Sequence, residues 1–186
     1  MPSSIPERKR REPVRTDTAD VLSLHVPLLR ELGFRQTMLS DPATMSYNAP
    51  WFPPDGCIEV PETKWDEWYK RWIGHEPERF YAYLRRNSDG AFVGEICWHR
   101  LPNANACEIG VVIHSPYRGC GYGKQGLFLL TEQAFLKDVV PALCNTFEST
   151  RTAARRIHRA AGFRETEGED GLLHLYLTRN EYLNAT

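Results

Sequence analysis

Arg118-Gly119-Cys120-Gly121-Tyr122-Gly123-Lys124 stands between an apolar, β-branched run, Cys107 to His114, and an amphipathic stretch that ends near Lys137. A glycine-rich turn from strand to helix presents successive backbone N–H groups, which together make an anion nest. The helix start adds unpaired N–H groups and a partial positive charge. Glycines let the backbone approach phosphate oxygens without a Cβ in the way. Arg118 and Lys124 add fork-shaped and point-like positive charge. The helix end alone is worth about 0.3–2 kcal/mol, so most of the grip must come from the many N–H groups and the cations. Gly119, Cys120, Gly121, Tyr122, Gly123 and Lys124, with Arg118 before them, are therefore the expected phosphate site. A turn of purely structural purpose is the competing reading.

Two other glycine loops are excluded by spacing. A Walker loop needs G-x-x-x-x-G-K-[ST], whereas Gly123-Lys124 is followed by Gln125 and has no matching glycine before it. A dinucleotide G-x-G-x-x-G starting at Gly119 needs glycine at position 124, which is lysine. Cys120 inside the loop reads as a small residue close to a ligand rather than as a nucleophile.

Outward from the loop the pattern alternates in type. Phe80 to Arg86 and Ala91 to His99 flank the turn Asn87-Ser88-Asp89-Gly90 and predict a hairpin. Cys107 to His114 predicts a third strand. A helix is expected from about Gly123 to Lys137, a strand over 142–148, a helix over 151–161 closed by Gly162, and a last strand from Leu172 to Thr178. Upstream, residues 21–30 suit an edge strand. Residues 31–46 look helical up to a break at Asp41-Pro42, and 48–61 read as a proline-rich loop. Trp65, Trp68 and Trp72 fall at i, i+3 and i+7 of a helix. They suit packing on a sheet or, alternatively, one wall of a substrate pocket.

The chain has 186 residues, enough for one domain with a real core. Residues 1–17 are expected to be a flexible basic tail and 18–186 a single domain. The net charge of −1 calls for neither nucleic acid nor a membrane surface as partner. No apolar run reaches the length of a membrane span, and the N-terminus lacks an apolar signal core, so a cytoplasmic protein is expected. Five cysteines without a CxxC pair argue against a disulfide framework or a zinc site, and no metal is expected.

Two blocks together resemble the GNAT N-acetyltransferase superfamily. The phosphate signature [Q/R]-x-x-G-x-[G/A] is met by Arg118, Gly121 and Gly123. The helical block N-x-x-A-x-x-x-Y-x-x-x-G-F is met in frame by Arg151, Ala154, His158, Gly162 and Phe163, with arginine for the usual asparagine and histidine for the usual tyrosine. The resemblance covers about residues 80–180. It implies an α+β fold with a mixed sheet, helices on both faces and two central strands that splay apart. It also implies an acetyl-CoA-dependent N-acetyltransferase acting on a primary amine of a small molecule or a protein N-terminus. Backbone groups of Val111, Val112 and Ile113 would hold the pantetheine arm, and residues 30–75 would shape the acceptor pocket. There Tyr47, Trp51, Asp55 and Glu59 suit a cationic amine. A homodimer through a sheet edge is common in such families.

The chemistry needs a neutral amine. An amine of pKa about 10.4 pays roughly 4.6 kcal/mol to be neutral at pH 7, so a base or a water chain to one is expected. Glu108 and Glu95 are the candidates, each on a strand near the expected cleft. A surface or strand-pairing carboxylate is the alternative for both. His158 could protonate the departing thiolate, or could be an ordinary helix histidine. Arg151, Arg155 and Arg159 share a helix face and meet either solvent or the 3′-phosphate of CoA. A longer acyl donor and a non-catalytic acyl-CoA-binding module are the rival functions.

Overall fold

The computed structural model describes residues 21–137 and 140–185, so the expected tail over 1–17 lies outside the described residues. Seven strands form one sheet in the order β1-β2-β3-β4-β5-β7-β6. They are β1 Leu22–His25, β2 Arg79–Arg86, β3 Phe92–Arg100, β4 Cys107–Ile113, β5 Ala142–Glu148, β6 Arg164–Glu167 and β7 Leu172–Thr178. The helices are α1 Gly33–Leu39, α2 Pro42–Met45, α3 Trp65–Trp72, α4 Tyr122–Glu132, α5 Thr152–Ala160 and α6 Arg179–Ala185.

Alternation along the strands assigns the two faces. Ala82, Leu84, Ile96, Trp98 and Ile109 join Leu127, Leu130 and Phe135, from α4 and the π-helical turn after it, in the main core. Leu127 and Leu130 are fully buried, so truncating either to alanine costs roughly 2–5 kcal/mol. Helix α4 lies so close to the sheet that a Cβ on Gly126 would meet Leu84 Cδ1 at 2.6 Å. The opposite face carries Tyr81, Tyr83 and Glu95. Phe34 of α1 packs edge-on to Tyr83 at 5.0 Å, and Trp68 of α3 edge-on to Tyr81 at 4.7 Å. Trp68 and Trp72 of the tryptophan stripe thus pack on the sheet, while Trp65 donates from its indole N–H to the Val60 carbonyl. Helices cover both faces, as expected for the mixed α+β sheet.

Neighbouring strands are antiparallel except β4 and β5. That parallel pair is registered only at Cys107↔Leu143 and Glu108↔Cys144. From residue 109 onward β4 stays with β3, while β5 stays with β7, so the sheet opens into a wedge. Glu108 stands at its apex.

One expectation needs correction. The helix over 31–46 is three pieces: a 3-10 turn at Leu29–Glu31, then α1, then α2. Asp41 caps α2 by accepting from the N–H groups of Ala43 and Thr44, and Pro42 takes the first position, which needs no N–H. The Asp-Pro break is therefore also a helix start. Strand β6 and helix α6 carry too few patterned residues to have been read.

Candidate functional site

The glycine loop leaves the wide end of the wedge. A short turn at Ser115–Tyr117 ends β4, and Gly121 caps α4 with φ +81°, while Gly119 has φ +79°. A Cβ at either position would meet no atom within 4 Å, so it is backbone conformation, not crowding, that requires glycine there. The N–H groups of Gly119, Cys120, Gly121, Tyr122, Gly123 and Lys124 have no acceptor among the described residues. Six consecutive free donors at a helix start match an anion nest. Cys120 is exposed and Lys124 projects its amine toward the Phe128 ring.

The Arg118 guanidinium is engaged by the chain itself. It donates to the carbonyls of Ala43 at 2.7 Å, Thr44 at 2.6 Å and Ile113 at 3.3 Å. Ser115 reinforces the join: its N–H donates to Thr44 Oγ1 at 2.8 Å and its hydroxyl to Asp41 Oδ2 at 2.6 Å. These bonds hold the Asp41 carboxyl down at about 2. The Arg118 side chain is thus a brace between α2 and the loop, leaving the backbone to meet an anion.

Val111, Val112 and Ile113 line the open side of β4, whose β5-facing edge has no strand beside it past Glu108. The carboxylates sit at different depths. Glu108 is half exposed, 3.4 Å from His99 Nε2. Glu95 is only 7% exposed, accepts from the Tyr81 hydroxyl and lies 3.9 Å from Arg35 Nε. Burial pushes its pKa up, against the pull of Arg35 and Tyr81.

His158 is 3% exposed. Its Nδ1–H donates to the Ala154 carbonyl at 2.8 Å, which assigns that proton, and Nε2 meets Asn145 Nδ2 at 3.1 Å, where the amide donates. Phe147 and Phe163 flank the ring at 5.2 and 5.1 Å. Burial lowers its pKa and so favours the neutral ring. Both nitrogens are engaged inside the core, so the geometry of this neutral ring is that of a packing residue, not of an imidazolium aimed at a ligand.

The arginine face of α5 divides. Arg155 and Arg159 both pair with Glu165 of β6, whose carboxyl is held down at about 2. Arg151, just before α5, instead lies between two rings, 4.9 Å from Tyr47 and 5.2 Å from Phe147. Of the four residues expected to shape an acceptor pocket, Trp51 and Glu59 are exposed, and Asp55 accepts from the Cys57 N–H in a local turn. Tyr47 alone faces groups of the wedge. Ser115, Thr44, Arg35 and Asn145 were missed by sequence reasoning.

With that geometry in place, comparison with known proteins adds the following. Residues 28–164 match the family model described as an acetyltransferase (GNAT) domain. No curated protein matches the chain in sequence. Among solved structures, spermidine N-acetyltransferase from Vibrio cholerae in complex with CoA and spermine superposes with a TM-score of 0.71 at 16% identity, covering 88% of this chain and 98% of that one. An acetyltransferase of the GNAT family from Bacillus anthracis gives 0.67 at 16% identity, covering 87% and 97%. A dodecameric form of the Vibrio cholerae enzyme gives 0.68 at 18% identity, covering 89% and 98%. Among the described residues no helix is long and apolar enough to cross a membrane.

Proposed function

The chain belongs to the acetyltransferase (GNAT) domain family and is an N-acetyltransferase, and on that premise we propose that it moves an acetyl group from acetyl-CoA to a primary amine of a small molecule or a protein N-terminus. The observation that carries this reading is the set of six free N–H groups, Gly119 to Lys124, beside the wedge between β4 and β5. The pyrophosphate would take those donors, with Lys124 as added charge. The pantetheine arm would run along Val111, Val112 and Ile113, replacing the missing strand. Acetyl-CoA supplies an activated thioester; the protein supplies position and proton management.

Glu95 is the favoured base. Its raised pKa brings it nearer the working pH, and the base it would offer is shielded from water. Glu108, at the apex, would serve the same amine through water or steer a cationic acceptor. Arg151 would lend its charge to the acyl end of the wedge rather than to the 3′-phosphate. Residues 18–186 would act as one domain. The spermine bound to the Vibrio cholerae enzyme makes polyamines the first acceptors to try, and that enzyme's dodecamer supports self-association here.

The test is CoA binding by calorimetry, followed by release of free CoA thiol with a panel of polyamines, simple amines and N-terminal peptides. Saturable binding and amine-dependent thiol release are expected. Absence of CoA binding, or binding without turnover on any amine, would overturn the reading.

A further inference from the structure

Helix α5 carries His158 where the family places tyrosine, and that histidine is walled into the core with both nitrogens engaged. The wedge nevertheless holds a phenol from another part of the chain. Tyr47 lies in the 3-10 turn Ser46–Asn48 that follows α2. Its ring rests on the Arg151 guanidinium at 4.9 Å, on the β5 arm of the wedge. It is also within electrostatic reach of Glu95 and Cys97, on the β3–β4 arm, and of Arg118. Tyr47 therefore has charged groups of both arms around it. Among the described residues its hydroxyl has no hydrogen-bond partner, although its side chain is half buried.

Its place is fixed from the loop outward. Arg118 holds the carbonyls of Ala43 and Thr44, and Ser115 holds Asp41 and Thr44. From the other side Gly56 packs against the same segment. A Cβ there would meet the Met45 carbonyl oxygen at 2.1 Å and the Ala49 nitrogen at 2.7 Å. The turn that carries Tyr47 is thus gripped by the anion loop on one side and by the Gly56 backbone on the other.

We propose that Tyr47 is a catalytic residue whose hydroxyl donates a hydrogen bond to the thioester sulfur as it departs, with Arg151 beside it as a fixed positive charge. The role rests on the acetyl-CoA reading above. The amine nitrogen bonds to the acetyl carbon and gives a proton to the base. The carbon–sulfur bond breaks and its electron pair goes to sulfur. Tyr47 steadies that charge, and the released thiolate takes its proton from solvent. Burial pushes the phenol up to about 12, some 3.5 pH units above an ordinary thiol near 8.5, so it remains a donor and does not surrender its proton. The Arg151 charge on the ring strengthens that donor. A wall that merely contacts the acceptor amine is the competing role for Tyr47.

The experiment uses the full chain and Tyr47→Phe, which removes one oxygen and keeps the ring on Arg151. The thiol of bound CoA is titrated by its ultraviolet thiolate band in both proteins, and kcat and KM are measured with the best amine. A bound-thiol pKa higher by about one unit in Tyr47→Phe is expected, with kcat lower by roughly 10²-fold and KM for acetyl-CoA within about threefold. Equal thiol pKa values, an unchanged kcat, or a loss confined to KM for the amine would overturn the role. If wild type binds no CoA, this inference and the reading beneath it fail together. If wild type turns over and Tyr47→Phe matches it, only the inference fails.

Discussion

The Arg118 guanidinium donates to the Thr44 carbonyl at 2.6 Å, and so ties the anion loop to the segment that carries Tyr47. A charged donor on a backbone carbonyl contributes about 1.5–3 kcal/mol, less where water reaches it, and Arg118 is an exposed residue. Arg118→Ala is therefore expected to cost about 1–2 kcal/mol, lowering Tm by roughly 2–8 °C. Arg118→Lys should recover little, because an ammonium cannot span two carbonyls with a planar fork. Thermal melts of the three proteins check this. A Tm for Arg118→Ala equal to wild type would remove the brace.

The two arginines of α5 that face Glu165 should matter for stability and not for the ligand. Glu165 is held at about 2, below its ordinary 4.5, first by its bond to Arg155 and then by Arg159. A depressed carboxylate stabilises the fold above its unfolded value and loses that contribution as pH falls toward its folded value. Arg155→Gln combined with Arg159→Gln should lower Tm at pH 7, with the gap from wild type closing in acid below about pH 4. The ratio of affinities for CoA and dephospho-CoA should stay within about twofold of wild type, since these guanidiniums are already engaged. A tenfold fall in that ratio, read by calorimetry, would assign them to the 3′-phosphate instead.

His158 gives a second handle on pH, of the same sign but in a different window. Burial lowers its pKa below the ordinary 6.5. Between the lowered value and 6.5 the unfolded chain binds more protons, so stability rises with pH there and is lost as pH falls through that window. One proton sets a ceiling of about 1.4 kcal/mol per pH unit, or at most about 5 °C in Tm. Melts at pH 7.5 and 5.5 should show a drop in wild type that is smaller in His158→Gln. The comparison must be with the variant because Glu95, raised by burial, titrates with the opposite sign. An identical drop in both proteins would mean that His158 does not titrate.

Legibility in the sequence followed the range of the interaction. The strands at 80–86, 91–99, 107–114, 142–148 and 172–178 match β2, β3, β4, β5 and β7 within a residue or two, because their alternation is local. The glycine loop was equally legible: strand, glycines and helix are contiguous, and the free N–H groups follow from chain direction. The brace was not legible. Nothing near Arg118 in sequence announces the Thr44 carbonyl, 74 residues away, that accepts one of its N–H groups. Likewise nothing near His158 in sequence announces Asn145 on its Nε2, and nothing near Tyr47 announces Arg151. Periodicity reports which face a side chain takes, not which partner waits there.

The same distinction separates the two acidic candidates. Glu108 is half exposed beside His99, whereas Glu95 is closed off between Tyr81 and Arg35. Water dampens an exposed charge, so Glu108 is poorly set apart from bulk solvent as a proton acceptor. Burial makes Glu95 the stronger base, since its pKa is raised with desolvation as the largest cause. Glu95→Gln should therefore lower kcat by roughly 10²-fold, while Glu108→Gln acts mainly on KM for the amine. The wild-type kcat profile should fall as pH drops through the raised Glu95 value, and that limb should be missing in Glu95→Gln. A structural role alone would lower Tm but leave the limb in place, because the amide would then have removed packing and not the titrating group. Steady-state rates from pH 5 to 9 on both variants, with melts alongside, decide between them: a limb that survives in Glu95→Gln passes the base to Glu108 or to water.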